Sequence, residues 1–229
     1  FGYACDVEKI EKIAKKHNIF VIYDAAHAFA SKYKGKSLLD YGDISTCSFH
    51  ATKLFHTIEG GACIVKDETI SEKLELIKRF GHNGDNHLCL GINAKQTEMN
   101  AAMGLSNLPY IGQILEKRKM ISDLYDENLH GLIQRPSKQA HLEYNHAYYP
   151  VLFKNEKELL TVFEKLAENG IFPRRYFYPS LNLLPYIEST EKCPISEDIS
   201  SRIACLPIFN DITEAQVKEI CRTVREGLL

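Results

Sequence analysis

The sequence predicts an α/β domain with a mainly parallel sheet, followed by a smaller α+β domain, and three observations support this fold class. Over residues 1–112, short apolar runs that suit strands alternate with amphipathic stretches that suit helices. Two of the apolar runs end in polar side chains, which is where ligand sites form in such sheets. Residues 113–229 carry a second set of strand-like and helix-like stretches. We therefore expect two domains with a boundary at 112–113.

The composition is that of a globular protein, and it favours neither nucleic acid nor a membrane as a partner. The net charge is −2, with lysine and arginine scattered along 229 residues. No apolar run approaches the roughly 20 residues of a membrane span. The seven cysteines form no CxxC pair, and the spacing of His82 and His87 to other ligand types suggests no metal site. Several cysteines lie in apolar runs, which predicts reduced thiols and a cytoplasmic protein.

The chain opens with a predicted helix and a predicted strand. Asp6 suits a helix N-cap, apolar residues recur after it at helical spacing, and Asn18 ends the pattern. The run Ile19–Tyr23 is apolar without alternation, which is typical of a parallel strand covered on both faces. Asp24 and His27 follow this run, so we expect them at the carboxyl edge of the sheet.

A second strand is predicted over residues 43–49 and a third over 61–65, with a lysine-containing loop between them. Taken singly, each polar residue here has an ordinary interpretation: Lys53 suits the surface, Asp24 a helix cap, and His27 and Ser48 structural positions. Together, an acid at one strand end and a lysine past the next suit pyridoxal phosphate. Its aldehyde forms a Schiff base with lysine, and a buried acid keeps its ring nitrogen protonated.

The remaining elements follow from turn residues and apolar spacing. Gly35 predicts a small hairpin over 31–37, and Pro109 predicts a bend in a long helical region over 97–130. The polar stretch 82–90 is predicted to be a mobile loop. In the second domain we expect, in order, strand, helix, strand, strand and helix over residues 147–153, 156–169, 171–178, 203–209 and 213–228.

Several short motifs, in order along essentially the whole chain, resemble the DegT/DnrJ/StrS family of sugar aminotransferases. They are Asp24-Ala25-Ala26-His27-Ala28-Phe29, Gly42-Asp43-Ile44-Ser45, Ser48 to Lys53, Glu59-Gly60-Gly61, and Gly91-Ile92-Asn93 followed by Glu98 and Ala101-Ala102. The stretch Asn169–Pro179 is similar to members that make dTDP-4-amino-4,6-dideoxyglucose. The resemblance implies fold type I of the pyridoxal phosphate enzymes, here with a partial large domain at 1–112 and a small domain at 113–229.

The resemblance also implies a role for each residue of the expected cofactor site. Lys53 would be the Schiff-base lysine and the proton carrier, Asp24 would pair with the ring nitrogen, and Ser48 would bind the phosphate. Asn93 would reach the phosphate of the neighbouring subunit, which implies a homodimer. His27 stands where most members carry Gln, and we expect it to pack on the ring or donate to its phenolic oxygen.

The implied activity is transfer of an amino group, with glutamate as the expected donor, to a 4-keto-6-deoxy nucleotide sugar. Such an enzyme would serve deoxyaminosugar biosynthesis for a surface polysaccharide such as lipopolysaccharide. Arg175 and Tyr178 are candidate substrate-binding residues, because basic side chains suit a diphosphate. They equally suit ordinary surface and core positions of the small domain.

Two alternatives stay open. A related fold-type I lyase, such as a cysteine desulfurase, also places an Asp before and a Lys after neighbouring strands. Alternatively, the chain is an inactive fragment or binding module. The family has an N-terminal part of the large domain, with a phosphate-binding turn and an aromatic that stacks on the ring, and this sequence begins after both. From the sequence we expect that the chain neither holds pyridoxal phosphate tightly nor turns over alone.

Overall fold

The computed structural model describes residues 1–188 and 191–229, which form two compact units. The first unit comprises Phe1–Gln113 and Gln139–Asn145, and the second comprises Ile114–Lys138 and His146–Leu229. The predicted domain boundary at 112–113 lies beside the division between Gln113 and Ile114, but the sequence pattern did not predict that 139–145 return to the first unit.

The described residues contain seven α-helices and ten short strands. The helices are α1 Val7–His17, α2 Glu68–Lys78, α3 Glu98–Asn107, α4 Ile111–Leu129, α5 Glu156–Glu168, α6 Pro194–Arg202 and α7 Glu214–Leu228. The strands are β1 Ile22–Asp24, β2 Lys32–Tyr33, β3 Lys36–Ser37, β4 Ile44–Ser48, β5 Gly61–Val65, β6 His82–Asn83, β7 Asn86–His87, β8 Leu142–Glu143, β9 Tyr149–Leu152 and β10 Ile203–Leu206. Within these residues, no helix has the length and apolar character needed to cross a membrane.

Residues 139–145 belong to the first unit because they pair with it. Strand β8 runs antiparallel to β2. The Gln139 side chain donates to the carbonyl of Ala4 at 2.8 Å and accepts from the Ala4 amide at 2.9 Å. A side-chain amide that exchanges two hydrogen bonds with one backbone residue mimics a strand pairing, so it ties this segment to the start of the chain.

The predicted helix α1 is confirmed with both of its ends. The Asp6 carboxylate accepts from the Lys9 amide at 3.2 Å, and Asn18 closes the helix in the left-handed conformation at φ 52°. Lys15, Lys16 and His17 occupy the last turn, where positive charge interacts favourably with the helix dipole. This helix therefore ends one residue before the run that leads into β1.

The central sheet of the first unit has the order β1-β4-β5, with β1 parallel and β5 antiparallel to β4. The sheet is therefore mixed rather than mainly parallel. The segment between β4 and β5 contains no crossover helix, so the chain reverses and β5 returns antiparallel. Strand β1 begins at Ile22 rather than Ile19, and the expectation that this run is covered on both faces was wrong for this chain: Phe20 is 76% exposed and Ile22 62%.

The turns of the first unit follow their glycines. The predicted hairpin is confirmed as β2 and β3, joined by Lys34 and Gly35 at φ 52° and 75°, a pair that suits a type I′ turn. The stretch predicted as an irregular loop instead forms a second small hairpin of β6 and β7, in which Gly84 has φ 57°. The long helical region is divided at Pro109 by a short 3₁₀ turn between α3 and α4.

The second unit packs α5 and α7 with strands β9 and β10, which pair antiparallel. Its core contains fully buried side chains from every one of these elements, among them Tyr149, Val162, Leu166, Ala204 and Val224. The predicted strand over 171–178 was wrong: only Arg174 forms a bridge, to Cys205. Pro173 lies within this stretch and Pro179 directly follows it, and neither can donate a ladder hydrogen bond, which disfavours a longer strand. Helix α6 was not predicted.

Candidate active site

The carboxyl edge of the central sheet brings together two of the predicted site residues. Because β1 and β4 are parallel, their carboxyl ends lie at the same edge, with Asp24 opposite Thr46 and Ser48 two residues further along β4. The Asp24 carboxylate accepts from the Ala26 amide at 3.1 Å and is exposed, not buried as expected. The Ser48 hydroxyl is half-buried and accepts from the His50 amide at 3.4 Å. This edge therefore presents a carboxylate and a hydroxyl.

Lys53 and His27 meet beside this edge. Lys53 Nζ lies 2.9 Å from His27 Nε2, within hydrogen-bonding distance. The two residues come from the segments that follow β4 and β1, so the parallel pairing of these strands brings them together. The Lys53 amide donates to the carbonyl of His50 at 2.9 Å, which forms a tight turn at the start of the loop.

The surroundings favour the neutral forms of both side chains. Burial, together with the positive charge of nearby groups that include Lys53, lowers the pKa of His27 to about 4. Burial also lowers the pKa of Lys53, and the negative charge of Asp24 partly opposes that shift. A lysine with a lowered pKa is unprotonated in a larger fraction of molecules and is a better nucleophile.

Asn145 positions the His27 segment, and sequence reasoning missed it. This side chain is almost fully buried, and its amide nitrogen donates to the carbonyls of His27 and Phe29, both at 2.8 Å. Two backbone carbonyls of the turn after β1 thereby gain a partner 116 and 118 positions away in sequence. The sequence carried no local signal for this contact, because it depends on the return of residues 139–145 to the first unit.

Three phenylalanines support the lysine loop. Phe55, two residues after Lys53, is buried and stacks on Phe29 with ring centroids 4.8 Å apart. Phe49 packs edge-on against Phe55 at 5.1 Å and against Phe29 at 6.2 Å. Aromatic pairs of this geometry add to the free energy of burial, so the cluster holds the loop on the segment after β1.

The remaining predicted site residues are Asn93, in the first unit, and Arg175 and Tyr178, in the second. Asn93 is exposed and forms a bridge with Arg79 beside the end of α2. Arg175 and Tyr178 lie in the second unit and contact each other, with the guanidinium 3.4 Å from the centre of the Tyr178 ring. Arg175 also forms an ion pair with Glu156 and donates to the carbonyl of Ser201 at 2.8 Å.

Comparison with known proteins identifies the family of the chain. The model of the DegT/DnrJ/EryC1/StrS aminotransferase family matches residues 1–225. The chain is 36% identical to the dTDP-4-amino-4,6-dideoxy-D-glucose transaminase of Shigella dysenteriae, over 99% of this chain and 64% of that protein. It is 34% identical to the GDP-perosamine synthase of Escherichia coli O157:H7, over 99% of this chain and 63% of that protein.

A solved structure shows the same fold. The structure of DesI in the presence of its TDP-sugar product is 28% identical, with a TM-score of 0.90 over 99% of this chain and 60% of that one. This similarity confirms the predicted fold type I of the pyridoxal phosphate enzymes. The chain spans 63–64% of the length of these two curated relatives. With a family match over nearly its whole length, the chain belongs to the DegT/DnrJ/EryC1/StrS aminotransferase family.

Proposed function

We propose that this protein is a pyridoxal phosphate-dependent aminotransferase that transfers an amino group from glutamate to a 4-keto-6-deoxy nucleotide sugar. The observation that carries this proposal is the half-buried Lys53 amine, whose pKa is lowered and which lies in contact with His27 beside the strand end that presents Asp24. An amine in this state suits covalent chemistry on a carbonyl group. Membership of the family supports the reaction class.

The residues present fit pyridoxal phosphate, which aminotransferases of this family use. The cofactor needs an amine for its aldehyde, an acid for its ring nitrogen and donors for its phosphate. Lys53, Asp24 and Ser48 supply an amine, a carboxylate and a hydroxyl on segments that follow or end two paired parallel strands. We therefore assign these three residues to the aldehyde, the ring nitrogen and the phosphate, in that order. When bound, the cofactor supplies an electron sink for the carbon that loses a proton.

The chain's own residues would orient and move protons at this site. The Lys53 amine accepts and returns a proton at its Nζ atom, which its lowered pKa favours. His27 is neutral near pH 7, because its pKa is about 4, so it adds no positive charge beside Lys53. The His27 ring therefore orients the amine through the Nε2 contact. The Asp24 carboxylate supplies negative charge at the same edge.

The relatives support the proposed substrate class. One relative is named for a dTDP-linked 4-amino-4,6-dideoxyglucose and another for GDP-perosamine. We propose a 4-keto-6-deoxy sugar linked to a nucleoside diphosphate as the acceptor, in deoxyaminosugar biosynthesis for a surface polysaccharide. Tyr178 and Arg175 stay proposed substrate-binding residues. Of the two, Tyr178 has the freer side chain, because Arg175 is engaged by Glu156 and Ser201.

We also propose a homodimer in which Asn93 reaches the neighbouring site. Asn93 is exposed, and three apolar side chains near it are exposed as well: Leu88, Leu90 and Ile92, with Leu90 at 94%. Exposed apolar side chains grouped around a polar one suit a protein interface. A cytoplasmic location stays proposed from the cysteine pattern, and all seven cysteines are free thiols in the structure.

The first test is covalent capture of the cofactor. The protein is incubated with pyridoxal phosphate, reduced with borohydride and digested, and the modified lysine is located by mass spectrometry. Because reduction is irreversible it traps cofactor that is held only weakly, so we expect an adduct on Lys53, below one per chain, and its loss in Lys53→Arg. Lys66→Arg is the matched control, because Lys66 is exposed and its amine donates to the carbonyl of Gly42. An adduct that persists in Lys53→Arg at the wild-type level would overturn the lysine assignment.

The second test is substrate turnover. Glutamate is supplied with dTDP- or GDP-linked 4-keto-6-deoxy sugars, and the amino sugar product is detected by mass spectrometry. Sulfur release from cysteine, with no amino sugar formed, would instead identify a desulfurase-type lyase. If neither reaction occurs and no adduct forms on Lys53, the chain is a non-catalytic module.

A further inference from the structure

One face of helix α3 contacts the loop that carries Lys53. This face consists of Asn100, Gly104 and Asn107, which are spaced by four and three residues and therefore lie on one side of the helix. We call it the clamp face. Asn100 and Asn107 are half-buried and Gly104 is buried, so the loop covers the centre of this face and part of its two ends.

Two side-chain amides of the clamp face bind backbone carbonyls of the loop. Asn100 Nδ2 donates to the carbonyl of Glu59 at 2.8 Å, and Asn107 Nδ2 donates to the carbonyl of His56 at 3.1 Å. The Glu59 carbonyl also accepts from the Thr57 hydroxyl at 2.7 Å. The part of the loop that follows Lys53 is therefore held at both of its ends by one helix.

Gly104 lets the helix approach the loop closely. A Cβ atom at this position would lie 2.8 Å from Thr57 Cγ2 and 3.5 Å from the Phe55 ring. Thr57 is buried, and its amide donates to the carbonyl of Phe49 at 2.9 Å. Any larger side chain at 104 would therefore displace Thr57, whose amide joins the end of the loop to its start at Phe49.

The contacts continue from the clamp face to Lys53. The Phe49 amide donates to the carbonyl of Gly60 at 2.8 Å, so backbone hydrogen bonds join the two ends of the loop. Leu54 and Phe55 are buried directly after Lys53, and Phe55 stacks on Phe29 two residues past His27. The position of the Lys53 amine at His27 thus depends on how the loop is seated on α3.

We propose that Asn100, Gly104 and Asn107 are positioning residues, which hold the lysine loop so that the Lys53 amine stays half-buried against His27. This inference rests on the proposed function of Lys53 and adds a helix face that sets its reactivity. None of the three is expected to touch substrate or cofactor. They act through the carbonyls of His56 and Glu59 and through the side chain of Thr57.

Competitive acetylation tests the inference on the chain without cofactor. Trace acetic anhydride is added over a range of pH values, and labelling of each lysine is quantified by mass spectrometry, which gives the pH midpoint for Lys53. Loosening the loop exposes the amine, so we expect the midpoint to move to higher pH in Asn100→Ala/Asn107→Ala and in Gly104→Ala. Circular dichroism and urea unfolding confirm that each variant is folded.

Two variants serve as matched controls. Gly112→Ala makes the same substitution in α4, where a Cβ atom would meet nothing within 4 Å. Ser106→Ala removes an exposed hydroxyl on α3 that donates to the helix's own Ala102 carbonyl. We expect both controls to keep the wild-type midpoint. Because Gly104→Ala favours the helix while it displaces the loop, a shifted Lys53 midpoint in a stable protein separates positioning from simple destabilisation.

Each outcome decides the inference. An unchanged Lys53 midpoint in the folded double variant overturns it, and so does an equal shift in Ser106→Ala or Gly112→Ala. If Gly104→Ala does not fold, the double variant decides alone, since it only removes side-chain atoms. If the midpoint shifts as expected but wild-type Lys53 captures no pyridoxal phosphate, the positioning role of the clamp face is supported and the proposed function fails.

Discussion

Nζ of Lys53 lies 2.9 Å from Nε2 of His27, although the two residues are 26 positions apart in sequence. Both side chains have lowered pKa values, chiefly because burial disfavours their charged forms. The neutral His27 ring can accept a hydrogen bond from the Lys53 amine, so the pair does not meet as two repelling cations. This relationship accounts for a reactive lysine without requiring an acid in direct contact with it.

The first prediction concerns the stability of the protein in acid. The folded pKa of His27 is about 4, below the ordinary 6.5, so between these values the unfolded chain binds more protons than the folded one. The free energy of unfolding should therefore fall as the pH drops from 6.5 towards 4. In His27→Gln this contribution is absent, and urea unfolding at a series of pH values should show a shallower loss.

The control for this experiment is His130→Gln, because His130 is exposed. We expect it to lose stability in acid as the wild type does. A His27→Gln variant with the same acid sensitivity as wild type would show that His27 does not resist protonation in the folded protein. Nuclear magnetic resonance titration of the His27 ring would measure its pKa directly.

The second prediction separates a structural from a substrate-binding role for Arg175. Its guanidinium pairs with Glu156, donates to Ser201 and stacks on Tyr178, and lysine cannot reproduce that combination. Arg175→Lys should lower the free energy of unfolding by about 1–2 kcal/mol, through lost charge-assisted hydrogen bonds. Glu156→Gln should lower it in the same direction, as measured by urea unfolding.

Arg174→Lys is the matched comparison and should lower stability less than Arg175→Lys. The Arg174 guanidinium lies 5.6 Å from the centre of the Tyr176 ring, against 3.4 Å between Arg175 and the Tyr178 ring. If Arg175 binds the substrate diphosphate directly, Arg175→Lys would instead raise KM for the nucleotide sugar at unchanged stability. A raised KM in Arg175→Lys together with a stability loss in both Arg175→Lys and Glu156→Gln would indicate that Arg175 supports the substrate site through its structural contacts.

The third prediction concerns the close packing of α5 and α7 in the second unit. Gly227 lies in α7, and a Cβ atom there would be 2.9 Å from Val162 Cα and 3.0 Å from Val162 Cγ2. Backbone cannot move aside as a flexible side chain can. Gly227→Ala should therefore lower the free energy of unfolding by about 1–3 kcal/mol, despite the better helix propensity of alanine.

Gly112→Ala is the control for that substitution as well, because its Cβ atom would face open space in α4. We expect it to leave stability unchanged or to raise it by up to about 1 kcal/mol. Thermal and urea unfolding of both variants measure the difference. Equal effects of the two substitutions would show that α5 and α7 have room to move apart.

Local sequence patterns were sufficient for much of the fold. The α1 caps at Asp6 and Asn18, the hairpin turn at Lys34 and Gly35, and the break at Pro109 all follow from the conformational preferences of single residues. The order of Asp24, Ser48 and Lys53 after apolar runs was enough to place them near one sheet edge, because parallel strands end on the same side. These features are encoded within a few residues of where they occur.

Other features depend on contacts between distant segments, and only the tertiary structure decided them. The direction of β5, the exposure of Phe20 and Ile22, and the absence of a strand over 171–178 depend on which backbone groups find partners. The same holds for the Lys53–His27 contact, the Asn145 hydrogen bonds and the clamp face of α3. A residue's type shows what it can bind, but its burial and its partners follow from how the whole chain packs, and these set the reactivity of Lys53.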